Sequence, residues 1–76
     1  MKSQASFDVS YYTSRLTDAD SGTDHILRSL VDRGATEAMF AMALESMRRN
    51  RPQRKTAYFV GTVKRLLKEH YDHDHE

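Results

Sequence analysis

Apolar side chains recur at helical spacing in three stretches of the 76-residue chain, with polar residues between them. The first predicted helix runs from Thr23 to about Arg33, where Ile26, Leu27, Leu30 and Val31 share a face opposite Arg28 and Asp32. Ser21 and Asp24 are spaced as a capping pair, and Gly34 is placed to end the helix. A second helix is predicted from Glu37 to about Arg49, capped by Thr36, with Met39, Phe40, Ala43, Leu44 and Met47 as its apolar stripe. Its opening glutamate suits the positive end of the helix dipole, and Ala38, Ala41, Glu45, Arg48 and Arg49 fall on the other side. Pro52, in the polar connection from Asn50 to Lys55, either breaks the chain or sits in the first turn of the helix that follows. That third helix spans about Lys55 to Tyr71, with Phe59, Val60, Val63, Leu66 and Leu67 on one arc. The three apolar faces define the expected fold, an all-α bundle of three main helices.

Residues 1–22 are rich in Ser, Thr and Asp and poor in aliphatic residues, and the run Thr17-Asp18-Ala19-Asp20-Ser21-Gly22 reads as a loop. Phe7, Val9 and Tyr11 alternate as in a strand, while Phe7 and Tyr11 are also four apart as on a helix, so the pattern leaves both open. The expected organisation is a semi-ordered N-terminal arm over 1–22, its aromatics docked on the body, a helical domain over 23–71, and a disordered acidic and histidine-rich tail over 72–76. No internal repeat and no useful coiled-coil heptad is present.

Length limits the chain to one domain with a modest core. The absence of cysteine removes any disulfide framework or cysteine-ligated zinc and marks no oxidising compartment, so a cytoplasmic location is expected. No apolar run follows Met1-Lys2-Ser3-Gln4, and no stretch approaches the roughly 20 apolar residues of a membrane span, so neither a signal peptide nor membrane insertion is expected. There is no glycine-rich phosphate loop, nucleophile elbow or His-Glu-x-x-His pattern, and Asp18 and Asp20 read as turn chemistry. No enzyme activity and no small-molecule substrate are therefore expected. His70, His73 and His75, interleaved with Asp72 and Asp74, are ligand types for zinc, nickel or copper, but nothing fixes their geometry; no metal or cofactor is assigned to them. His25 reads as a surface histidine.

Charge changes the picture more than composition does. The formal net charge is only +1, yet eight of the twelve Lys and Arg residues lie between Arg48 and Lys68 with no Asp or Glu among them. Ordinary surfaces mix both signs. Arg48, Arg49, Arg51, Arg54 and Lys55 form a loop cluster, and Lys64, Arg65 and Lys68 surround Gly61 on the third helix. Such a strip neutralises phosphates, and the partner it points to is a nucleic acid, the charge alone leaving DNA and RNA both open. A glycine in mid-helix costs about 1 kcal/mol against alanine; close approach of a phosphate backbone is one reason for Gly61, and a tolerated exposed glycine is another. Tyr58 shares a side of the helix with Arg65 and either stacks on an unpaired base or sits at the edge of the core. The second helix opens with Glu37, Ala38, Met39 and Phe40, which is unsuited to reading base edges in a major groove. The acidic tail is placed to fold over the basic strip and compete with nucleic acid. Tyr11, Tyr12 and Met42 are the exposed candidates for a homodimer or partner contact. The rival expectation is a small protein-interaction module, such as a phage-encoded inhibitor or adaptor, docking its basic strip on an acidic protein surface.

From Ile26 to Leu67 the order of features resembles the C-terminal helical domain of DnaD-like replication-initiation proteins of bacteria, phages and plasmids. In that family a helix ending at a glycine leads to a second amphipathic helix, a polar stretch, and a helix opening with a motif of the form Tyr-x-x-x-Ile-x-x-x-Trp. The segment Ala57-Tyr58-Phe59-Val60-Gly61-Thr62-Val63-Lys64-Arg65-Leu66 looks like that opening, with Thr62 standing where Ile is expected and Leu66 where Trp is expected. The resemblance implies DNA binding through the motif helix, with Tyr58, Lys64, Arg65 and Lys68 as contacts, and a role in replication or maintenance of a mobile element. Without the winged-helix domain that usually precedes this module, it implies an accessory factor rather than an initiator.

Overall fold

The computed structural model describes residues 8–74, with side chains to Tyr71. Four helices follow one another along the chain: α1 (Val9–Arg15), α2 (Thr23–Asp32), α3 (Glu37–Asn50) and α4 (Lys55–Asp74), and no strand occurs among the described residues. The all-α expectation holds, with four helices rather than three. The additional one lies in the segment expected to be a semi-ordered arm.

Helix α1 has seven residues, too few to be stable alone, since isolated helices below about 12–15 residues are marginal in water. Its N-terminus is capped by Asp8, whose carboxylate accepts the Ser10 N–H at 3.0 Å. Burial supplies the rest. Val9, Tyr12 and Leu16, spaced three and four apart, all turn into the core. Tyr12 is therefore not the exposed partner contact expected from the sequence: it is 5% exposed, whereas Tyr11 is 45% exposed with the Arg15 guanidinium 4.9 Å from its ring centre. The helical alternative for this segment is the one realised, with Tyr12 rather than Tyr11 on the buried face.

The expected Ser21–Asp24 cap of α2 does not form. Gly22 is the N-cap and makes no side-chain cap bond. The turn is organised by Asp20, whose carboxylate accepts the Gly22 N–H at 2.9 Å and the Thr23 hydroxyl at 3.2 Å. Asp24 instead ties α2 to α1 by accepting the Thr13 hydroxyl at 3.2 Å, and it accepts Arg28 Nε at 2.6 Å. The hydrogen bond from Arg28 is the main reason its carboxyl lies below the usual range, with the guanidinium charge acting in the same direction. Leu27 and Leu30 are buried and Val31 half-buried, but Ile26 is 42% exposed and not part of the core. Packing on both α1 and α4 centres the buried arc of α2 on Thr23, Leu27 and Leu30, which leaves Ile26 beyond its edge.

Gly34 ends α2 as expected, at φ 112°. Its N–H donates to Val31 O at 2.9 Å and the Ala35 N–H to Leu30 O at 3.0 Å, the paired bonds of a Schellman motif. Thr36 then caps α3 by accepting the Met39 N–H at 3.3 Å. Helices α3 and α4 pack along their lengths, joining Met39, Phe40, Ala43 and Met47 to Phe59, Val63 and Leu67. Phe40 and Phe59 meet edge to face at 5.4 Å, and Tyr12 joins them with its ring 5.2 Å from Phe40.

Helix α4 continues to Asp74, so part of the segment expected as a disordered tail is helical. The side chains of the Asp72–His75 cluster, and with them the metal and self-screening readings of the tail, lie outside the described residues. No helix is long and apolar enough to cross a membrane among the described residues.

Candidate nucleic-acid interface

The α3–α4 connection is shaped by one unusual backbone. Arg51, the C-cap of α3, is in the left-handed conformation at φ 49°, ψ 58°, and its N–H closes on Met47 O at 2.8 Å. Only glycine adopts that conformation without steric cost, and the following Pro52 restricts Arg51 further. The turn brings Arg48, Arg49, Arg51 and Lys55 around one open cleft, with Glu45 and Met47 also in its walls. Arg48 and Arg49 occupy the last turn of α3, where positive charge offsets the negative end of the helix dipole.

Arg54 faces elsewhere. It lines a cleft with Asp18, Asp20 and the exposed Ile26, on the side of the α1–α2 connection. Asp18 reaches from that connection to the start of α4, where one carboxylate oxygen accepts both the Thr56 N–H at 2.9 Å and the Thr56 hydroxyl at 2.7 Å. The hydroxyl bond, more than any other contact, holds the Asp18 carboxyl below its ordinary range. Asp18 is thus a helix cap supplied from 38 residues away, more than the local turn residue the sequence suggested.

The remaining cations lie on α4. Lys64 and Lys68 line a third cleft with Arg33, Leu67 and Tyr71, on the flank toward α2. Arg65 has its Nε 3.9 Å from Glu69 Oε2, one turn further along α4. Seven of the nine sequence-predicted contacts thus line three different clefts. Lys55 opens α4, whereas Lys64, Arg65 and Lys68 lie about its middle, with Lys68 13 residues, about 20 Å at 1.5 Å per residue, from Lys55. The acid-free window also closes in space, since Glu45 lies 3.8 Å from Arg48 and Glu69 beside Arg65.

Tyr58 belongs to the α3–α4 seam. Its hydroxyl is 2.7 Å from Ser46 Oγ and accepts Asn50 Nδ2 at 2.8 Å, and its half-buried ring packs against the core. Of the two readings left open, this is the core-edge position, with part of the ring accessible. Gly61 is exposed, and a Cβ built there would meet nothing within 4 Å.

Arg33 was not legible as a site residue, since nothing in linear order connects it to Lys64 or Lys68. Asp18 was seen only as turn chemistry, for the same reason. Among the described residues no group of His, Asp or Glu is placed to hold a metal ion. No family model matches the chain, and comparison with curated proteins and with solved structures gives no match.

Proposed function

We propose that the chain is a non-catalytic DNA-binding accessory protein that grips phosphates through the α3–α4 turn and the outer face of α4. The observation that carries this reading is Arg51, a cation kept in a left-handed backbone where glycine is the ordinary choice, with Arg48, Arg49 and Lys55 around the same cleft. Backbone strain of this kind concentrates where a side chain is needed. Phosphate contacts supply the affinity, with little readout of bases. Lys64, Arg65 and Lys68 extend the contact along α4, with the accessible part of the Tyr58 ring; Arg54, on the flank toward the α1–α2 connection, lies off this surface. A setting in replication or maintenance of a plasmid, phage or other mobile element rests on the resemblance of the Ile26–Leu67 segment.

Arg51→Gly separates binding from folding. Relief of the left-handed strain, less the extra freedom of glycine in the unfolded chain, stabilises the fold by roughly 0.5–1 kcal/mol. The same change removes a phosphate contact. In anisotropy titrations of labelled single-stranded and duplex DNA at two salt concentrations, the variant is expected to bind more weakly despite a higher melting temperature. The Lys64/Arg65/Lys68→Ala variant is expected to bind more weakly and with a shallower salt dependence than wild type. Absence of wild-type binding to either form at low salt would sink the proposal.

One observation favours a second reading. Met42 is 55% exposed and shares an open cleft with Glu45, Ser46, Arg49 and Asn50, an adaptable apolar contact beside one cation and one acid. A small interaction module docking this surface on an acidic protein fits that arrangement, and unrelated DNA in excess does not displace such a partner.

A further inference from the structure

The cleft between the end of α2 and the last turns of α4 has no counterpart in the linear charge pattern. Arg33, Lys64 and Lys68 converge on it from two helices, over a floor containing Leu67 and Tyr71. Its volume is about 430 Å³, room for a phosphate group and several waters at about 30 Å³ each. All three cations are exposed, and none forms an ion pair among the described residues.

Arg33 is held in place from its backbone. Its N–H donates to Ser29 O and Leu30 O, both at 3.1 Å, and its carbonyl accepts the Tyr71 hydroxyl at 2.9 Å. The Tyr71 bond is made possible by Gly34, because a Cβ at that position would overlap the Tyr71 hydroxyl. The end of α2 is thus pinned to α4 with the Arg33 side chain left to solvent. The C-terminal dipole of α2 contributes about half a negative charge to this region. Three formal positive charges outweigh it.

We infer that Arg33, Lys64 and Lys68 form a second phosphodiester-binding cleft, separate from the Arg48–Lys55 cluster, so that a nucleic-acid backbone is held at two points. This inference rests on the DNA-binding reading and adds to it a contact from α2. Arginine suits the role, because its planar fork meets a phosphate through two parallel hydrogen bonds while the lysines act as point charges.

The test is anisotropy of labelled duplex and single-stranded DNA across a salt series, with full-length wild type, Arg33→Gln, Arg33→Lys and Lys64/Lys68→Gln. Helical circular dichroism and melting temperature are followed in parallel. Arg33→Gln is expected to make the negative slope of log K against log salt shallower by about 0.9 on duplex or about 0.7 on single strands, the loss of one phosphate contact. Arg33→Lys is expected to keep the slope, which excludes a folding defect as the cause. Wild-type binding with an unchanged slope and affinity in Arg33→Gln would overturn the inference and leave the DNA-binding reading standing. Failure of wild type to bind either DNA at low salt would overturn both. Millimolar inorganic phosphate, at matched ionic strength, is expected to displace DNA no better from wild type than from Arg33→Gln; selective displacement from wild type would assign the cleft to free phosphate instead.

Discussion

Two of the glycines in the fold do opposite work, and substitution separates them. Gly34 has φ 112° and lies against the Tyr71 hydroxyl, so an alanine there strains the backbone and displaces the Tyr71 bond to Arg33 O. The left-handed conformation costs about 1 kcal/mol for a residue with a Cβ, and the lost hydrogen bond about 1 more. Gly34→Ala is therefore expected to destabilise the protein by about 2 kcal/mol in urea denaturation. Gly61 stands in an unstrained helix with open space around it, so Gly61→Ala is expected to stabilise by about 1 kcal/mol. If a phosphate backbone lies against α4 at this point, the added methyl group lowers DNA affinity while the midpoint of unfolding rises. Unchanged affinity would show that the ligand stands clear of Gly61. Sequence reasoning located both residues, because one follows an amphipathic run and the other interrupts one; their surroundings depend on partners distant in the chain.

At the scale of elements, α2, α3 and α4 were legible because each is long enough for its apolar period to repeat. Helix α1 was not. It has seven residues, six of them polar or aromatic, and its order comes from Tyr12 packing on Phe40 and Phe59 rather than from propensity. The Asp18 cap was invisible for a related reason, since it joins the α1–α2 connection to α4 across 38 residues. That contact has a pH signature. The Asp18 carboxyl is lowered in the folded state, so the stability it contributes is present above its unfolded value of about 3.9 and is lost as pH falls through its folded value. Asp18→Ala is expected to lower the melting temperature at neutral pH and to increase amide exchange at Thr56. The gap between variant and wild type is expected to close in acid, once both lack the charged cap. A gap that persisted there would assign Asp18 to packing rather than to capping.

For the molecule as a whole, the charge pattern matters through its division rather than its total. A net charge of +1 gives little overall attraction to DNA, so affinity must come from local groups. The sequence located these cations but presented them as one strip free of acids. Folding splits the strip between the α3–α4 turn and the α2–α4 cleft, and sets Glu45 and Glu69 beside Arg48 and Arg65. Both pairs are exposed, where ion pairs add little to stability. Their effect is on binding, because each carboxylate offsets a cation and repels an approaching phosphate. The double variant Glu45→Gln/Glu69→Gln is therefore expected to melt close to wild type and to bind DNA several-fold more tightly at low salt. The gain is expected to shrink as the Debye length falls from about 30 Å at 0.01 M salt to about 8 Å at 0.15 M. The described residues have a longest dimension of 35 Å, the length of about ten base pairs at 3.4 Å each, so the titration is expected to saturate near one protein per ten base pairs. An unchanged affinity at low salt would mean that Arg48 and Arg65 point away from the ligand, restricting the interface to Arg49, Arg51, Lys55 and the α2–α4 cleft.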